Sequence, residues 1–365
     1  MSLDRQAFFI HASPSTHMSD SPQNQVIKVA VIGASGYTGE ELLRLLSWHP
    51  KAKVTAMTSR QYAGQSASQV LGGVFGTDLP LFTNSSIEQV ADMAEVFFLA
   101  LPHGVSASFA KPLYEMGKTV IDLSADFRLN DPQVYEQTYG KAHEAPELLD
   151  ESAYALVEWN REEIIQKRLL ACPGCYPTSI QLPLIPLLKA GAILPDSIQA
   201  TSLSGISGAG KKESLTYSFS ERYDSLMAYG VPGHRHRPEM EQELSKHASQ
   251  SVQIRFVPHL VPLKRGMHST IGFRSDFSLD ELYQILLEAY QSEPFVSLLS
   301  LEGVLPDSAK VSGSNHCQIA IRPDPQEGYF WLFSVIDNLG KGAASQAIQA
   351  FNVHYQFPEM IGLAR

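Results

Sequence analysis

The chain has 365 residues, of which 44% are hydrophobic and 18% charged, and its formal net charge is −10. This balance is typical of a globular protein, and the length favours two domains over a single core. A negative charge without a basic stripe argues against nucleic acid as a partner, and no apolar run approaches the ~20 residues of a membrane span. Three cysteines are too few for a disulfide framework, which favours the cytoplasm.

Residues 1–25 precede the first predicted strand. They are rich in Ser, Pro and Gln, and their apolar cluster from Ala7 to Ile10 is shorter than the hydrophobic region of a secretory signal. We therefore predict an N-terminal extension that is disordered or loosely docked.

The next segment predicts a nucleotide-binding unit. A strand at 26–33 runs into the loop and amphipathic helix of 33–50, and a second strand follows at 53–60. Glycines in such a loop let the backbone approach a pyrophosphate at the helix N-terminus. Counted back from Gly39, the first glycine position is Ala34, so an ordinary βα turn stays an alternative. The loop residues predicted to bind the cofactor are Gly33, Ser35, Gly36, Tyr37, Thr38 and Gly39.

The end of the second predicted strand indicates which dinucleotide binds. An acidic residue there would bind the ribose 2′-hydroxyl of NAD, but the sequence has Thr58, Ser59 and Arg60. A hydroxyl and a guanidinium suit a 2′-phosphate. We therefore predict NADP(H), bound in part by Ser59 and Arg60, unless Arg60 is only a solvated loop residue.

More αβ alternation extends the predicted parallel sheet, with strands at 94–104 and 118–129 and a helix at 105–117 between them. The carboxyl ends of such strands line the ligand crevice. Pro102 is therefore predicted beside the cofactor. Several polar residues are predicted near the same crevice, with ordinary loop hydrogen bonding as the alternative: His103, Ser124, Asp126 and Arg128.

The sequence ACPGCYPTS, residues 171–179, carries the central chemical signal. Pro173 and Gly174 read as a turn, which puts Cys175 at or just before a helix N-terminus. Unpaired N–H groups and the helix dipole favour an anion there, so we predict a lowered thiol pKa and a nucleophile. A buried structural cysteine is one alternative. Cys172 adds another, a redox pair or half of a zinc site.

The second half of the chain predicts an α+β domain with a mostly antiparallel sheet. Its predicted strands lie at 197–207, 252–263, 268–277, 317–324 and 329–337, its helices near 239–248 and 279–290, and a last helical pattern covers 338–355. The predicted fold class is thus α/β, a Rossmann-type parallel-sheet nucleotide domain followed by an α+β catalytic domain.

The sequence VPGHRHRPEMEQEL, residues 231–244, supplies a candidate base. Imidazole is the usual base for a cysteine nucleophile, and a carboxylate fixes its tautomer. His234 and His236 are both candidates, with Glu239 as the carboxylate. The two arginines of the motif suit an acidic or phosphorylated substrate, and a solvated basic loop is the alternative.

A Gly/Ser-rich loop at 202–214 offers hydroxyls, N–H groups and cations that suit a phosphate, although a flexible hairpin is also compatible. Together these features indicate one chemistry. A thiolate attacks an activated acyl group or an aldehyde, a thioester or thiohemiacetal forms, and a hydride passes to or from a nicotinamide.

These motifs resemble those of N-acetyl-gamma-glutamyl-phosphate reductases of arginine biosynthesis, in order and over roughly 26–365. The segments that carry the resemblance are GASGYTGEELLRLL, LALPHG, VIDLSADFRL, CPGCYPTS, SGISGAGK, GHRHRPEMEQ, VPHLVPLKRGM and DNLGKGAASQAIQAFN. The resemblance implies NADPH-dependent reduction of N-acetyl-L-glutamyl 5-phosphate to the 5-semialdehyde and phosphate through a Cys175 thioester. It also implies a nucleotide domain of 26–173 and 338–365, a catalytic and dimerisation domain of 174–337, and a homo-oligomer, either dimer or tetramer.

The resemblance also assigns roles to residues. Cys175 is the catalytic cysteine, His234 the catalytic histidine and Glu239 its orienting carboxylate, although by position alone His236 is as good a base. The implied substrate-binding residues are Arg128, Ser204, Lys211, Arg235 and His236, and those near the nicotinamide are Ser207, Gly208 and Asn338. Cys172 replaces an Asn of the family, which leaves backbone N–H groups after Cys175 as the expected oxyanion donors. No metal is implied.

Several other functions fit the same features. Aspartate-semialdehyde dehydrogenases share the plan but have a different cysteine motif, and a reductase of a carrier-bound aminoadipyl phosphate is closer still. A glyceraldehyde-phosphate-type dehydrogenase is disfavoured by the missing acidic residue after the second strand. A non-catalytic NADP-binding regulator is the alternative from another functional class.

Overall fold

A computed structural model of the chain describes residues 25–211 and 214–363. The predicted N-terminal extension lies, except for its last residue, outside the described residues. The described chain builds two sheets, and each sheet has its own helices and apolar core.

The first sheet has six parallel strands in the order β2-β1-β3-β4-β6-β5. Its strands are β1 (Ile27–Ile32), β2 (Ala52–Met57), β3 (Val96–Leu99), β4 (Thr119–Asp122), β5 (Ser152–Tyr154) and β6 (Leu169–Ala171). The central strands are continuously apolar, as in the VFFL run of β3, because helices cover both faces of the sheet. Those helices are α1 (Tyr37–Leu46), α2 (Ala67–Val70), α3 (Ile87–Ala91), α4 (Ser106–Glu115), α5 (Pro132–Tyr139) and α6 (Val157–Gln166).

The second sheet has seven strands in the order β11-β12-β13-β10-β7-β9-β8, and most of its pairs are antiparallel. Its strands are β7 (Gln199–Gly205), β8 (Met227–Ala228), β9 (Arg255–Val261), β10 (Met267–Arg274), β11 (Val296–Leu298), β12 (Cys317–Pro323) and β13 (Tyr329–Ile336). The helices of this half are α7 (Cys175–Lys189), α8 (Phe219–Arg222), α9 (Arg237–Ala248) and α10 (Leu279–Tyr290). The apolar residues of α7 lie in its core.

The chain leaves β13 through a π-helical turn, Gly340–Ala344, and ends in α11 (Ser345–His354). Helix α11 packs beside α1 and α6, and its Phe351 is fully buried in the core of the first sheet. The last helix therefore contributes to the core of the first half of the chain. The domain boundaries stay a prediction: a nucleotide domain of 26–173 and 338–365, and a catalytic and dimerisation domain of 174–337.

The predicted fold class is confirmed: a Rossmann-type parallel sheet is followed by a mostly antiparallel sheet with helices. The predicted final helix over 338–355 is shorter, because its first turn is π-helical and precedes α11. Across 25–211 and 214–363, no helix combines the length and hydropathy that crossing a membrane requires.

Candidate active site

Cys175 begins α7 immediately after β6 and a Pro-Gly turn, as predicted. Gly174 is the N-cap, with an extended backbone, and its position leaves no room for a side chain. A Cβ there would lie 2.7 Å from His236 Cε1 and 3.0 Å from Arg128 Nη1. The turn before Cys175 therefore lies directly against two residues of the predicted site.

Glu239 holds this turn in place. The buried carboxylate accepts the Gly174 N–H at 2.8 Å and the Tyr154 hydroxyl at 2.9 Å through Oε1. Its Oε2 lies 3.4 Å from Arg128 Nη1. Among the described residues Glu239 makes no hydrogen bond to either imidazole, so it does not orient His234 directly in this structure. The reason is that its oxygens already face a backbone N–H, a phenol and a guanidinium.

Arg128 is also a structural neighbour of the turn. Its Nε donates to Cys172 O at 2.7 Å, Nη2 donates to Leu123 O at 2.9 Å, and Nη1 faces Glu239. The side chain is buried and does not line the cavity at Cys175. The predicted direct contact of Arg128 with substrate is therefore not what this geometry offers, because carbonyl oxygens and Glu239 bind its guanidinium.

The two histidines lie together on the other side of the turn. Both are buried, and their ring centroids are 5.0 Å apart. His234 Nδ1 accepts the backbone N–H of His236 at 3.1 Å, so the neutral ring carries its proton on Nε2. His236 Nδ1 is buried without a hydrogen-bond partner among the described residues. Burial and the nearby Arg235 lower the pKa of His234 to about 4, so the ring is neutral at pH 7.

A cavity of about 500 Å³ opens at Cys175. Six residues that the sequence predicted for the site line it: Cys175, Ser204, Gly208, His234, Arg235 and His236. Arg235 is exposed and is the cation of this wall. Sequence reasoning missed the aromatic part of the lining, Tyr176, Tyr217 and Tyr229. The Tyr229 hydroxyl donates to the Tyr176 hydroxyl at 2.9 Å, a pairing that no local pattern signals.

The protonation of Cys175 differs from the prediction. Burial raises the pKa of its thiol to about 11, although Arg128, the Tyr176 N–H and Arg235 act in the opposite direction. The predicted lowering of the thiol pKa by the helix N-terminus is therefore wrong for this structure. Desolvation of the thiolate outweighs the Tyr176 N–H and the two guanidiniums.

Cys172 faces away from Cys175. It is buried in the core of the first sheet, whereas Cys175 borders the core of the second, and all three cysteines are free. Among residues 25–211 and 214–363, no group of three or more His, Cys, Asp or Glu is arranged to hold a metal ion.

A second cavity, of about 890 Å³, lies at the carboxyl ends of the first sheet. The predicted cofactor residues that line it are Gly33, Ser35, Gly36, Ser59, Arg60 and Pro102. The Ser59 hydroxyl donates to the Ser35 hydroxyl at 3.0 Å and so joins the two loops. Sequence reasoning missed the polar loop Asn84–Ser85–Ser86, which shares this cavity with Arg60.

The loop glycines have separate roles. Gly33 has φ +79° and a Cβ there would lie 2.5 Å from Ala100 O, while a Cβ at Gly39 would lie 2.6 Å from Ala34 Cα. These two allow the loop and α1 to pack tightly. A Cβ at Gly36 would meet nothing nearer than 3.8 Å, so the N-terminus of α1 is open. Tyr37 and Thr38 belong to the first turn of α1 and do not line the cavity.

Asn338 joins two loops beside the cavity at Cys175. Its Nδ2 donates to the Ser207 hydroxyl at 2.9 Å, and its Oδ1 accepts the Gly266 N–H at 2.9 Å. Lys211 lies elsewhere: its Nζ is 2.8 Å from Glu40 Oε2 and 5.1 Å from the centre of the Tyr37 ring. Lys211 therefore lies at the first turn of α1 and does not line the cavity at Cys175, and its role in substrate binding stays a prediction.

Comparison with known proteins first defines a class. The family model described as "Semialdehyde dehydrogenase, NAD binding domain" matches residues 28–167, and "Semialdehyde dehydrogenase, dimerisation domain" matches 175–338. The crystal structure of aspartate semialdehyde dehydrogenase II from Vibrio cholerae superposes with a TM-score of 0.71 at 18% identity, covering 91% of this chain and 99% of that one. The crystal structure of aspartate semialdehyde dehydrogenase with NADP from Candida albicans superposes with a TM-score of 0.67 at 19% identity. The match covers 90% of this chain and 98% of that one. The fold is that of semialdehyde dehydrogenases.

Sequence relatives narrow the class to one family. The N-acetyl-gamma-glutamyl-phosphate reductase of Akkermansia muciniphila is 48% identical over 343 residues, covering 92% of this chain and 98% of that protein. The protein of the same name from Desulfotalea psychrophila is 47% identical, with 93% and 98% covered. The chain belongs to the N-acetyl-gamma-glutamyl-phosphate reductase family, which confirms the resemblance seen in the sequence.

Proposed function

We propose that this protein reduces N-acetyl-L-glutamyl 5-phosphate to N-acetyl-L-glutamate 5-semialdehyde and phosphate with NADPH, through a thioester on Cys175. The observation that carries the proposal is Cys175 at the start of α7, on the wall of a cavity that also holds His234, His236 and Arg235. The names of the relatives at 42–48% identity supply the substrate.

The cavity at the first sheet fits a dinucleotide. The open N-terminus of α1 at Gly36 suits a pyrophosphate, and the tight packing that Gly33 and Gly39 allow holds the loop at this end of the helix. Ser59 and Arg60 suit the 2′-phosphate of NADP. When bound, the nicotinamide supplies or accepts the hydride.

Each step of the proposed reaction is assigned to residues of the cavity at Cys175. The Cys175 thiolate attacks the acyl carbon, a C–S bond forms, and the bond from carbon to the phosphate oxygen breaks. After hydride addition to the thioester carbon, the C–S bond breaks, which releases the aldehyde and returns the thiolate. Backbone N–H groups of the first turn of α7 stabilise the oxyanion. Ser204, Gly208 and Arg235 hold the substrate, and the cation of Arg235 faces its phosphate.

The two histidines handle the proton of the Cys175 thiol. The thiol must lose this proton before it attacks, and His236, whose buried Nδ1 has no hydrogen-bond partner among the described residues, accepts it. The resulting imidazolium returns the proton to the departing phosphate, which leaves as the dianion instead of the trianion. His234 keeps its own proton at Nε2, because its Nδ1 accepts the His236 N–H, and donates a hydrogen bond from Nε2 to the phosphate.

We further propose that the enzyme acts in arginine biosynthesis, in the cytoplasm, as a homo-oligomer assembled through its second domain. The dimerisation-domain match over 175–338 supports the assembly. Three free cysteines support a reducing compartment.

The test is the reverse reaction, followed by NADP reduction in phosphate buffer. We compare N-acetylglutamate semialdehyde with aspartate semialdehyde and expect turnover only with the acetylated compound. Turnover with aspartate semialdehyde would contradict the proposed substrate. Tight NADPH binding without turnover of either semialdehyde would contradict the proposed substrate too. It would favour a reductase of a carrier-bound aminoadipyl phosphate or a non-catalytic NADP-binding regulator.

A further inference from the structure

Lys341 is fully buried, which is rare for a lysine. Its Nζ lies 2.5 Å from Glu158 Oε1 and 2.6 Å from Gln349 Oε1. The Glu158 side chain is itself only 1% exposed and comes from α6, beside the first sheet. This ion pair therefore ties the π-helical turn after β13 to the nucleotide-binding half of the chain.

The turn held by Lys341 is closed on itself. The Asp337 carboxylate accepts the N–H groups of Leu339 and Gly340, and Asp337 O accepts the Gly342 N–H at 2.9 Å. Outside the turn, Asp337 Oδ2 also lies 2.8 Å from Arg265 Nε and accepts the Gly313 N–H at 2.6 Å. The turn is therefore held at its start by Asp337 and towards its end by Lys341, and few degrees of freedom remain inside it.

The same turn touches the candidate active site at two points. A Cβ at Gly342 would lie 2.7 Å from Cys175 Cβ, so the backbone of the turn rests on the cysteine. Asn338 bonds both Ser207 and the Gly266 N–H. The turn 337–342 thus contacts both Cys175 and a loop of the cavity. Lys341 holds this turn through its ion pair with Glu158 of α6.

We propose that Lys341 is a positioning residue: its ion pair with Glu158 sets where the turn 337–342 holds Cys175 and Asn338. The proposal rests on the proposed function of Cys175. Charged hydrogen bonds fix a direction, which an apolar pair of equal volume does not. A shift of about 1 Å at reacting atoms costs roughly 100-fold in rate.

The experiment uses Lys341→Met and the double variant Lys341→Met/Glu158→Leu in the full chain. The single variant leaves Glu158 buried without a counter-charge and should lower the melting temperature, whereas the apolar pair should restore it. In both we expect kcat to fall by roughly 100-fold with KM nearly unchanged. We expect iodoacetamide to alkylate Cys175 at least roughly fivefold more slowly, because the thiolate is displaced from Arg128 and the Tyr176 N–H.

Asn352→Ala is the matched control. Asn352 is buried on the same helix as Gln349, and its side chain hydrogen-bonds His49, Glu359 O and Ile361 O but no residue of the turn among the described residues. This variant should lose stability while its folded form keeps the wild-type kcat and alkylation rate.

A wild-type alkylation rate in a folded Lys341 variant would overturn the proposal, and the double variant carries this test if the single one does not fold. Alkylation needs no substrate. A failure of the proposed reaction in the wild-type enzyme is therefore distinguishable from a failure of this inference.

Discussion

At the scale of single residues, the site depends on a cysteine whose surroundings act in opposite directions. The helix N-terminus, Arg128 and Arg235 favour the thiolate of Cys175, and burial opposes it with the larger effect. The Pro-Gly turn and the apolar run after it predict the position of this cysteine from the sequence. Its burial depends on distant segments that pack around it, so its pKa was not predictable in the same way.

The raised pKa has a measurable consequence. The thiolate is the form that reacts with iodoacetamide, and the pKa of the Cys175 thiol is about 11. Little thiolate is therefore present at pH 7, and alkylation of Cys175 should be slow at that pH. The rate should rise about tenfold per pH unit up to roughly pH 10. The modified Cys175 peptide is measured by mass spectrometry, which separates it from the buried Cys172 and Cys317. A plateau already reached at pH 7 would contradict the dominance of burial.

Arg60 tests the choice of dinucleotide. Arg60→Ala should weaken NADPH binding by roughly tenfold or more, since a charge-assisted hydrogen bond contributes about 1.5–3 kcal/mol. NADH, which has no 2′-phosphate, should bind almost as before. Both affinities are measured by fluorescence titration, with Lys53→Ala, which removes an exposed cation outside this cavity, as control. Equal losses for the two dinucleotides would mean that Arg60 does not contact the 2′-phosphate.

At the scale of elements, the turn before α7 is fixed by a residue of α9. Glu239 accepts the Gly174 N–H across a sequence separation of 65 residues, and it balances the charge of the buried Arg128. The motif around the histidines marks Glu239 as functional. Its partners were not predictable, because nothing local shows that α9 packs against the Cys175 turn rather than turning its carboxylate to an imidazole.

Removal of this carboxylate should therefore disturb the turn. Glu239→Ala leaves Arg128 buried without a counter-charge and should destabilise the protein by about 3–5 kcal/mol. The free energy of unfolding is measured by urea titration. Glu243→Ala, one turn further along α9, is the control, since its carboxylate accepts only from Gln242 among the described residues. A loss below about 1 kcal/mol at Glu239 would show that the ion pair is not needed to hold the turn.

At the scale of the whole molecule, the first strands of the described chain and its last helix share one core. The alternation of strands and helices from 26 to 129 predicts β1 to β4, because each of these buried strands is a clear apolar run. The three-residue strands β5 and β6 were not predicted, since so short a run carries no pattern of its own. The closing helix α11 has an equally clear pattern, but the pattern alone does not show where the helix packs. The family resemblance implied its return to the first half of the chain, and its position beside α1 and α6 is a feature of the tertiary packing.

Phe351 tests this packing. The ring is fully buried, with Phe98 of β3 at 6.0 Å and His49 at 5.5 Å between ring centroids. Phe351→Ala should cost about 3–5 kcal/mol and make NADPH binding more sensitive to urea. Met360→Ala, an exposed residue of the same terminal segment, is the control. An effect as small as that of the control would mean that the helix is not part of the first core.

The central claim is that acyl transfer passes through Cys175. We would mix the enzyme with N-acetylglutamate semialdehyde and NADP without phosphate, so that the acyl group has no acceptor. The account predicts a burst of about one NADPH per subunit, an acyl mass on the Cys175 peptide that phosphate discharges, and neither in Cys175→Ser. Rapid continuous turnover without phosphate, a burst in Cys175→Ser, or an acyl mass on another residue would contradict it.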